Sequence, residues 1–217
     1  MRALSLSDLT YLVEATRWTL LLSAIAFAGG GALGLAIALL RVSPARPLRW
    51  TAIAYIRVFQ GTPLLLQLFL AFFGAGLVGL SISPLAAAAF GLSLNAAAFL
   101  GEIWRGAIQA VPAGQLEAAR ALGLRYRPRM LRVVAPQALR TAIPPTVGFL
   151  VNLIKSTSLA AILGFVELTR AGQQLNNATF RPFVIFGAVA LIYFVLCWPL
   201  TLAATRLERR LATAYRR

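Results

Sequence analysis

Long apolar runs, separated by short polar segments, form the main pattern of the chain. Five of them are long enough, or nearly so, to cross a bilayer as helices: residues 18–40, 53–73, 84–100, 143–163 and 184–204. Lipid cannot hydrogen-bond the backbone, and no alternation with a period of two runs through these segments, so we predict helices and not strands. The pattern predicts an all-α integral membrane protein with one domain over residues 1–217.

The longest polar interruption between these spans covers residues 112–136. Its first part, residues 115–122, has apolar positions at helical spacing and ends at Gly123, a residue typical of helix C-termini. A second short helix is predicted to begin near Pro128 and to run towards Pro136. We therefore expect a helical loop outside the membrane.

Glycine and proline interrupt two of the predicted spans. Gly61 and Pro63 lie in the second span, and Pro144 and Pro145 lie near one end of the fourth. These residues weaken helical hydrogen bonding, so each pair is expected to bend or break its helix. Freed backbone groups must face protein or water, which makes both sites candidate hinges.

Composition narrows the chemistry that the chain can perform. It has 217 residues, of which 59% are hydrophobic and 12% charged, with no histidine, one cysteine (Cys197) and one lysine (Lys155). Histidine-based catalysis, a metal cluster and a disulfide within the chain are thereby excluded. Ile154 precedes the lysine and no glycine-rich turn leads into it, so the chain has no ATP-binding loop. If ATP drives its function, another polypeptide hydrolyses it.

The net charge of +15 is spread unevenly between the two sides of the predicted membrane domain. Arginines flank the first and third connections and follow the last span: Arg41, Arg46, Arg49, Arg57, Arg105, Arg120, Arg125, Arg127, Arg129, Arg132, Arg140, Arg206, Arg209, Arg210, Arg216 and Arg217. The other side holds Arg2, Arg17, Arg170 and Arg181. The positive-inside rule then places the N-terminus outside and the C-terminus and residues 112–136 in the cytosol. Basic residues grouped between apolar spans do not indicate nucleic-acid binding.

Several polar residues lie inside the predicted spans and are candidates for a substrate path: Gln67, Asn95, Asn152, Lys155, Ser156 and Thr157. A cation in a span is costly unless it faces the bundle interior or a cavity. In the fourth span, Asn152, Ser156 and Thr157 form a polar stripe around Lys155. Lining a path and hydrogen bonding between helices both remain open for them.

Four segments resemble a known family of membrane proteins. The order and spacing of Glu117, Ala118, Ala119, Gly123 and Pro136 are similar to the EAA loop of the membrane subunits of ABC importers. The segments GTPLLLQ at 61–67, NAAAFLGEIWRGAIQAVPAG at 95–114 and KSTSLA at 155–160 resemble polar amino-acid permeases of the histidine, glutamine and arginine type. Gln60 departs from the pattern, which usually has Arg before GTP.

This resemblance implies a type I ABC importer permease with five transmembrane helices, in the bacterial cytoplasmic (inner) membrane. The implied partners are ATPase subunits that hold ATP and Mg, a second copy or a similar permease subunit, an extracytoplasmic substrate-binding protein and a polar amino acid. Residues implied to contact the ATPase are Gln115, Glu117, Ala118, Ala119, Gly123 and Pro136. The resemblance also suggests a gate role for Glu102, although a local ion pair with Arg105 is the simpler interpretation. The alternative functions are a membrane scaffold or assembly factor, and an ion-coupled carrier.

Overall fold

The protein is helical over the residues 5–214 that this computed structural model describes, and no strand occurs among them. In chain order the helices are α1 (Leu6–Arg41), α2 (Arg46–Gly61), α3 (Leu64–Leu77), α4 (Pro84–Gln109), α5 (Ala113–Ala121), α6 (Tyr126–Arg129), α7 (Ala135–Ser156), α8 (Leu168–Thr179) and α9 (Pro182–Ala214). A π-helical turn, Met130–Val134, joins α6 to α7, and a 3₁₀ segment, Thr157–Leu163, follows α7. Arg2, Arg216 and Arg217, which contribute to the charge asymmetry, lie outside the described residues.

Four helical segments of residues 5–214 are long and apolar enough to cross a membrane: Leu6–Arg41, Pro84–Gln109, Tyr126–Leu163 and Pro182–Leu211. The predicted second span is different, because it is divided into α2 and α3, whose axes meet at 101°. The protein thus has four or five spans, depending on whether this bent pair is one. The expected break at Gly61 and Pro63 is confirmed.

Small residues let α1 and α4 pack closely in the centre of the fold. A side chain at Gly30 would place its Cβ 2.5 Å from that of Ala96, and one at Gly34 would lie 3.1 Å from the carbonyl oxygen of Ala97. Such contacts are typical of membrane helices, where small residues allow the backbones to approach. This packing sets the register that brings Arg41 beside Glu102.

The expected second short helix, from near Pro128 towards Pro136, is not a separate element. Helical structure continues from Tyr126 through the π turn into α7. A proline inside a helix has no N–H to donate, and its ring crowds the carbonyl four residues earlier. Pro136 lies just after the wider π turn, at the second position of α7, where there is more room for the ring. The helix therefore continues past Pro136, and α7 begins before the predicted fourth span.

One helix, α8, was not predicted. It follows Gly164, which has a left-handed φ of 89°, and Glu167 caps its first turn by accepting a hydrogen bond from the backbone N–H of Arg170. The segment is polar enough to be taken for a loop. Leu168, Ala171 and Leu175 nevertheless recur at helical spacing, and all three are buried.

Candidate functional site

Helix α5 packs against α6 and the π-helical turn, and its other face makes no contact with the described chain. Leu116 packs with a cluster that includes Val111 and Val134, and Ala119 is only 3% exposed. Gln115, Glu117 and Ala118 are exposed on the other side. The small size of Ala119 therefore serves packing within the chain, while the exposed residues remain available to a partner.

Gly123 ends α5 with the backbone geometry that the sequence predicts. Its φ is +72°, in the left-handed region. The backbone N–H of Gly123 donates to the carbonyl of Arg120 at 2.9 Å, and that of Leu124 donates to the carbonyl of Ala119 at 3.1 Å. These two bonds form a Schellman motif. They hold the end of α5 in one conformation and leave Leu122 80% exposed beside the turn.

At the break between α2 and α3, two of the predicted path residues hydrogen-bond a carbonyl that the helix leaves unpaired. The carbonyl of Phe59 would bond to the N–H four residues later in a continuous helix, but that residue is Pro63. The side-chain amide of Gln67 donates to this carbonyl at 2.8 Å, and that of Asn95 donates to it at 3.3 Å. Asn95 also donates to Oε1 of Gln67 at 3.1 Å. The two amides thus replace the donor that Pro63 lacks.

A groove between α7 and α9 brings together four of the predicted residues. Its volume is about 740 Å³, within the usual range for small-molecule sites, and its walls include Pro144, Pro145, Asn152 and Lys155. Helix α7 remains continuous through both prolines. Glu208 of α9, which sequence reasoning missed, lines the same groove. The groove therefore combines apolar walls with charges of both signs.

The predicted polar stripe on the fourth span is divided. Lys155 is exposed to the groove, whereas Thr157 is fully buried and donates to the carbonyl of Ile154 at 2.7 Å. The hydroxyl of Ser156 bonds back to the carbonyl of Asn152 at 2.9 Å. The helix changes to 3₁₀ geometry at Thr157, which alters the angular spacing of the side chains. The stripe therefore does not continue along one face.

Glu102 forms the expected ion pair with Arg105 and also faces another helix. Nε of Arg105 donates to Oε1 of Glu102 at 2.8 Å, and Nε of Arg41, at the end of α1, lies 3.6 Å from Oε2. Both partners are cations, so the carboxylate is stabilised in its charged form. Sequence reasoning identified the pair within α4, but not the contact with α1.

Sequence reasoning also missed a buried polar cluster around Glu167, which has no solvent exposure. Its carboxylate accepts hydrogen bonds from the hydroxyl of Tyr193 at 2.9 Å and from the backbone N–H of Arg170 at 2.9 Å. Thr19 of α1 accepts a bond from the N–H of Leu168 at 3.1 Å. Burial raises the pKa of the Glu167 carboxyl above its usual value, although these hydrogen bonds act in the opposite direction. The sequence contained one signal for this cluster, which was a single acidic residue directly before an amphipathic segment.

Comparisons with known sequences and structures all match membrane components of transport systems. The sequence model described as "Binding-protein-dependent transport system inner membrane component" matches residues 30–213. Two relatives come from Bacillus subtilis (strain 168). The probable amino-acid ABC transporter permease protein YckA is 37% identical over 96% of this chain and 92% of its own length. The probable glutamine ABC transporter permease protein GlnM is 36% identical over 91% of both chains. A chain from the "Crystal structure of an amino acid ABC transporter with histidines" has a TM-score of 0.89 and 34% identity, covering 97% of this chain and all of that one.

Proposed function

This chain belongs to the family of binding-protein-dependent transport system inner membrane components, and we propose on that basis how it acts within a transporter complex. It is the permease subunit of an ATP-driven amino-acid importer in a bacterial inner membrane. It is not an enzyme, since ATP hydrolysis in such importers belongs to a separate subunit. The finer proposal concerns its path, its contact surface for the ATPase and its orientation.

The groove between α7 and α9 is the proposed wall of the translocation path. The groove itself, with its polar lining residues, is the observation that carries the proposal. Lys155 supplies a cation that can meet the carboxylate of a polar amino acid, and Asn152, one turn earlier, supplies a neutral donor and acceptor. The groove is open along one side, so a second copy or a similar subunit would complete the path. Gly61, Pro63, Pro144 and Pro145 are the proposed hinges, and Glu102 the proposed gate.

The outer face of α5 is the proposed contact surface for the ATPase. Glu117 offers a carboxylate, Ala118 allows close approach, and the exposed Leu122 offers apolar area beside the rigid turn at Gly123. When the ATPase subunits close upon binding ATP and Mg, α5 would transmit their movement to the π-helical turn, and through the apolar cluster around Val134 to α4 and α7. Gln115 and Pro136, which are both exposed, are also proposed to contact the ATPase.

The proposed orientation places the N-terminus outside and the C-terminus, with α5, in the cytosol. It is supported by the arginine asymmetry of the sequence. A substrate-binding protein would then deliver a polar amino acid from the extracytoplasmic side. The scaffold and the ion-coupled carrier are not favoured, because the family to which the chain belongs consists of importer permeases.

The test is purification of the tagged chain with its native partners from membranes, followed by reconstitution in liposomes. Mass spectrometry should find an ATPase subunit, and ATP hydrolysis should rise when a loaded binding protein is added. Uptake of labelled polar amino acids should require ATP. Glu117→Lys should weaken ATPase recovery while leaving expression unchanged, whereas Gln174→Lys, an exposed change on α8, should leave recovery intact. ATP-independent uptake, or a chain purified without any ATPase, would contradict the proposal.

A further inference from the structure

Helix α2 has one exposed face that combines basic and aromatic side chains. Arg46, Trp50 and Arg57 lie within an arc of roughly 40° on a helix of 3.6 residues per turn. All three are exposed, Trp50 by 60%. The opposite side, with Ala52 and Ile56, is buried against α1 and α4. The exposed face is therefore not needed for packing within the described part of the chain.

Within residues 5–214, no ion pair neutralises the positive charge of this face. Helix α2 contains Arg46, Arg49 and Arg57 and no acidic residue. Among the ion pairs found in residues 5–214, none involves these three arginines, whereas Arg41, just before the helix, faces Glu102 at 3.6 Å. The guanidinium groups of Arg46 and Arg57 on this face thus present donors to an anionic partner, and Arg49 adds positive charge beside it.

The bend between α2 and α3 indicates which partner this is. Leu68 of α3 packs against Gly91 and Leu92 of α4, a spanning helix, and α2 turns away from α3 by 101°. Helix α2 begins five residues after the spanning helix α1 ends at Arg41, whereas its other end meets α4 at Asn95 and Ala98. Its first turns, with Arg46 and Trp50, therefore lie nearest to the membrane boundary. In that position a basic, amphipathic helix inserts its apolar side chains at the headgroup boundary and directs its cations to the phosphates.

We propose that the face of α2 formed by Arg46, Trp50 and Arg57 binds the phosphate headgroups of anionic phospholipids. Guanidinium groups bind phosphate through two parallel hydrogen bonds, and indole rings favour the membrane interface. The exposed Val58, on the same side of the helix as Trp50, adds apolar area that suits acyl chains better than an acidic protein surface. We assign the bound lipids to the cytoplasmic leaflet. This assignment depends on the orientation proposed above, whereas the lipid binding itself does not.

The test uses Trp50 as a reporter in the full chain reconstituted in nanodiscs. Its fluorescence is obtained as the difference between the wild type and Trp50→Phe. It is then measured against increasing mole fractions of brominated phosphatidylglycerol or brominated phosphatidylcholine. A basic residue near an anionic surface changes binding about fivefold. Half-maximal quenching should therefore need a several-fold lower mole fraction of phosphatidylglycerol than of phosphatidylcholine. High salt should reduce this preference, since it screens exposed charges.

The variant Arg46→Gln with Arg57→Gln should bring the two lipids close to parity at Trp50. The matched control, Arg206→Gln with Arg210→Gln, removes two exposed cations from α9 and should leave the preference unchanged. Equal quenching by both lipids in the wild type would overturn the proposal, as would an unchanged preference in the α2 variant. Absence of quenching by either lipid would show that protein covers this face, which also overturns it. Recovery of the ATPase with the α2 variant should remain normal, so failure here is distinct from failure of the transport assignment.

Discussion

The hydroxyl of Tyr193 lies 2.9 Å from a carboxylate oxygen of Glu167 and donates a hydrogen bond to it inside the protein. Glu167 begins α8, and Tyr193 lies within α9. The same carboxylate caps α8 through the N–H of Arg170. One buried acidic group therefore connects two helices, and losing its donor should cost more than losing a surface bond.

Tyr193→Phe tests the contribution of this bond. A buried carboxylate that loses a donor should destabilise the protein by about 1–3 kcal/mol, visible as a lower melting temperature in detergent. Tyr11→Phe is the matched control, because it removes the same hydroxyl from an exposed bond to Gln174 of 2.5 Å. Equal melting temperatures for the two variants would show that the buried bond contributes no more than the exposed one.

Gln67→Leu should destabilise the break between α2 and α3. The change leaves the Phe59 carbonyl with only the longer bond from Asn95, at a cost of about 1–3 kcal/mol for a poorly satisfied buried group. Gln60→Leu, which removes a single 3.3 Å bond from an exposed residue, should cost much less. Thermal unfolding of both variants checks this, and a greater loss for Gln60→Leu would contradict the role of Gln67.

Gly123→Ala should impair coupling through backbone conformation alone. An added Cβ would meet no atom within 4 Å, but a non-glycine residue at a φ of +72° costs about 1–2 kcal/mol. Gly114→Ala is the control, since it is equally free of contacts and lies in the helical part of α5. We expect reduced ATPase recovery and uptake for Gly123→Ala only. A defect of equal size at Gly114 would indicate a surface effect and not the turn.

Lys155→Met and Thr157→Val should separate the path from the helix packing. Removing the exposed ammonium of Lys155 should reduce uptake by raising the substrate concentration needed for half-maximal rate, with melting temperature unchanged. Thr157→Val removes a buried hydroxyl bond of 2.7 Å and should lower the melting temperature by an amount corresponding to about 1 kcal/mol. Normal uptake by Lys155→Met at every substrate concentration would remove Lys155 from the path.

Single cysteines test the proposed orientation. In a Cys197→Ala background, Ser81→Cys and Asn177→Cys should react with an impermeant thiol reagent added to intact cells, while Pro47→Cys and Ala113→Cys should not. Ser81 and Asn177 are exposed, and neither has the left-handed backbone found at the nearby Gly79. Labelling of Ala113→Cys from outside would reverse the orientation and remove α5 from the cytosol.

Predictions from the sequence held where a single helix contains all the information. The apolar runs predicted helices because a backbone in lipid must satisfy its own hydrogen bonds. Gly123 indicated a left-handed helix end, Pro63 indicated a break, and the spacing of Glu102 and Arg105 indicated an ion pair. Each of these depends on neighbours within about one turn.

Only the tertiary structure determined which residues from distant segments meet. Gln67 and Asn95, 28 residues apart, share one carbonyl because α3 returns alongside α4, and Glu167 contacts Tyr193 because α8 folds against α9. Spacing along the chain could not separate Lys155 from Thr157, since that depends on a change from α to 3₁₀ geometry. Local spacing specifies the angle of a side chain around its own helix. It does not specify which neighbour lies at that angle, because that is decided by the packing of whole helices.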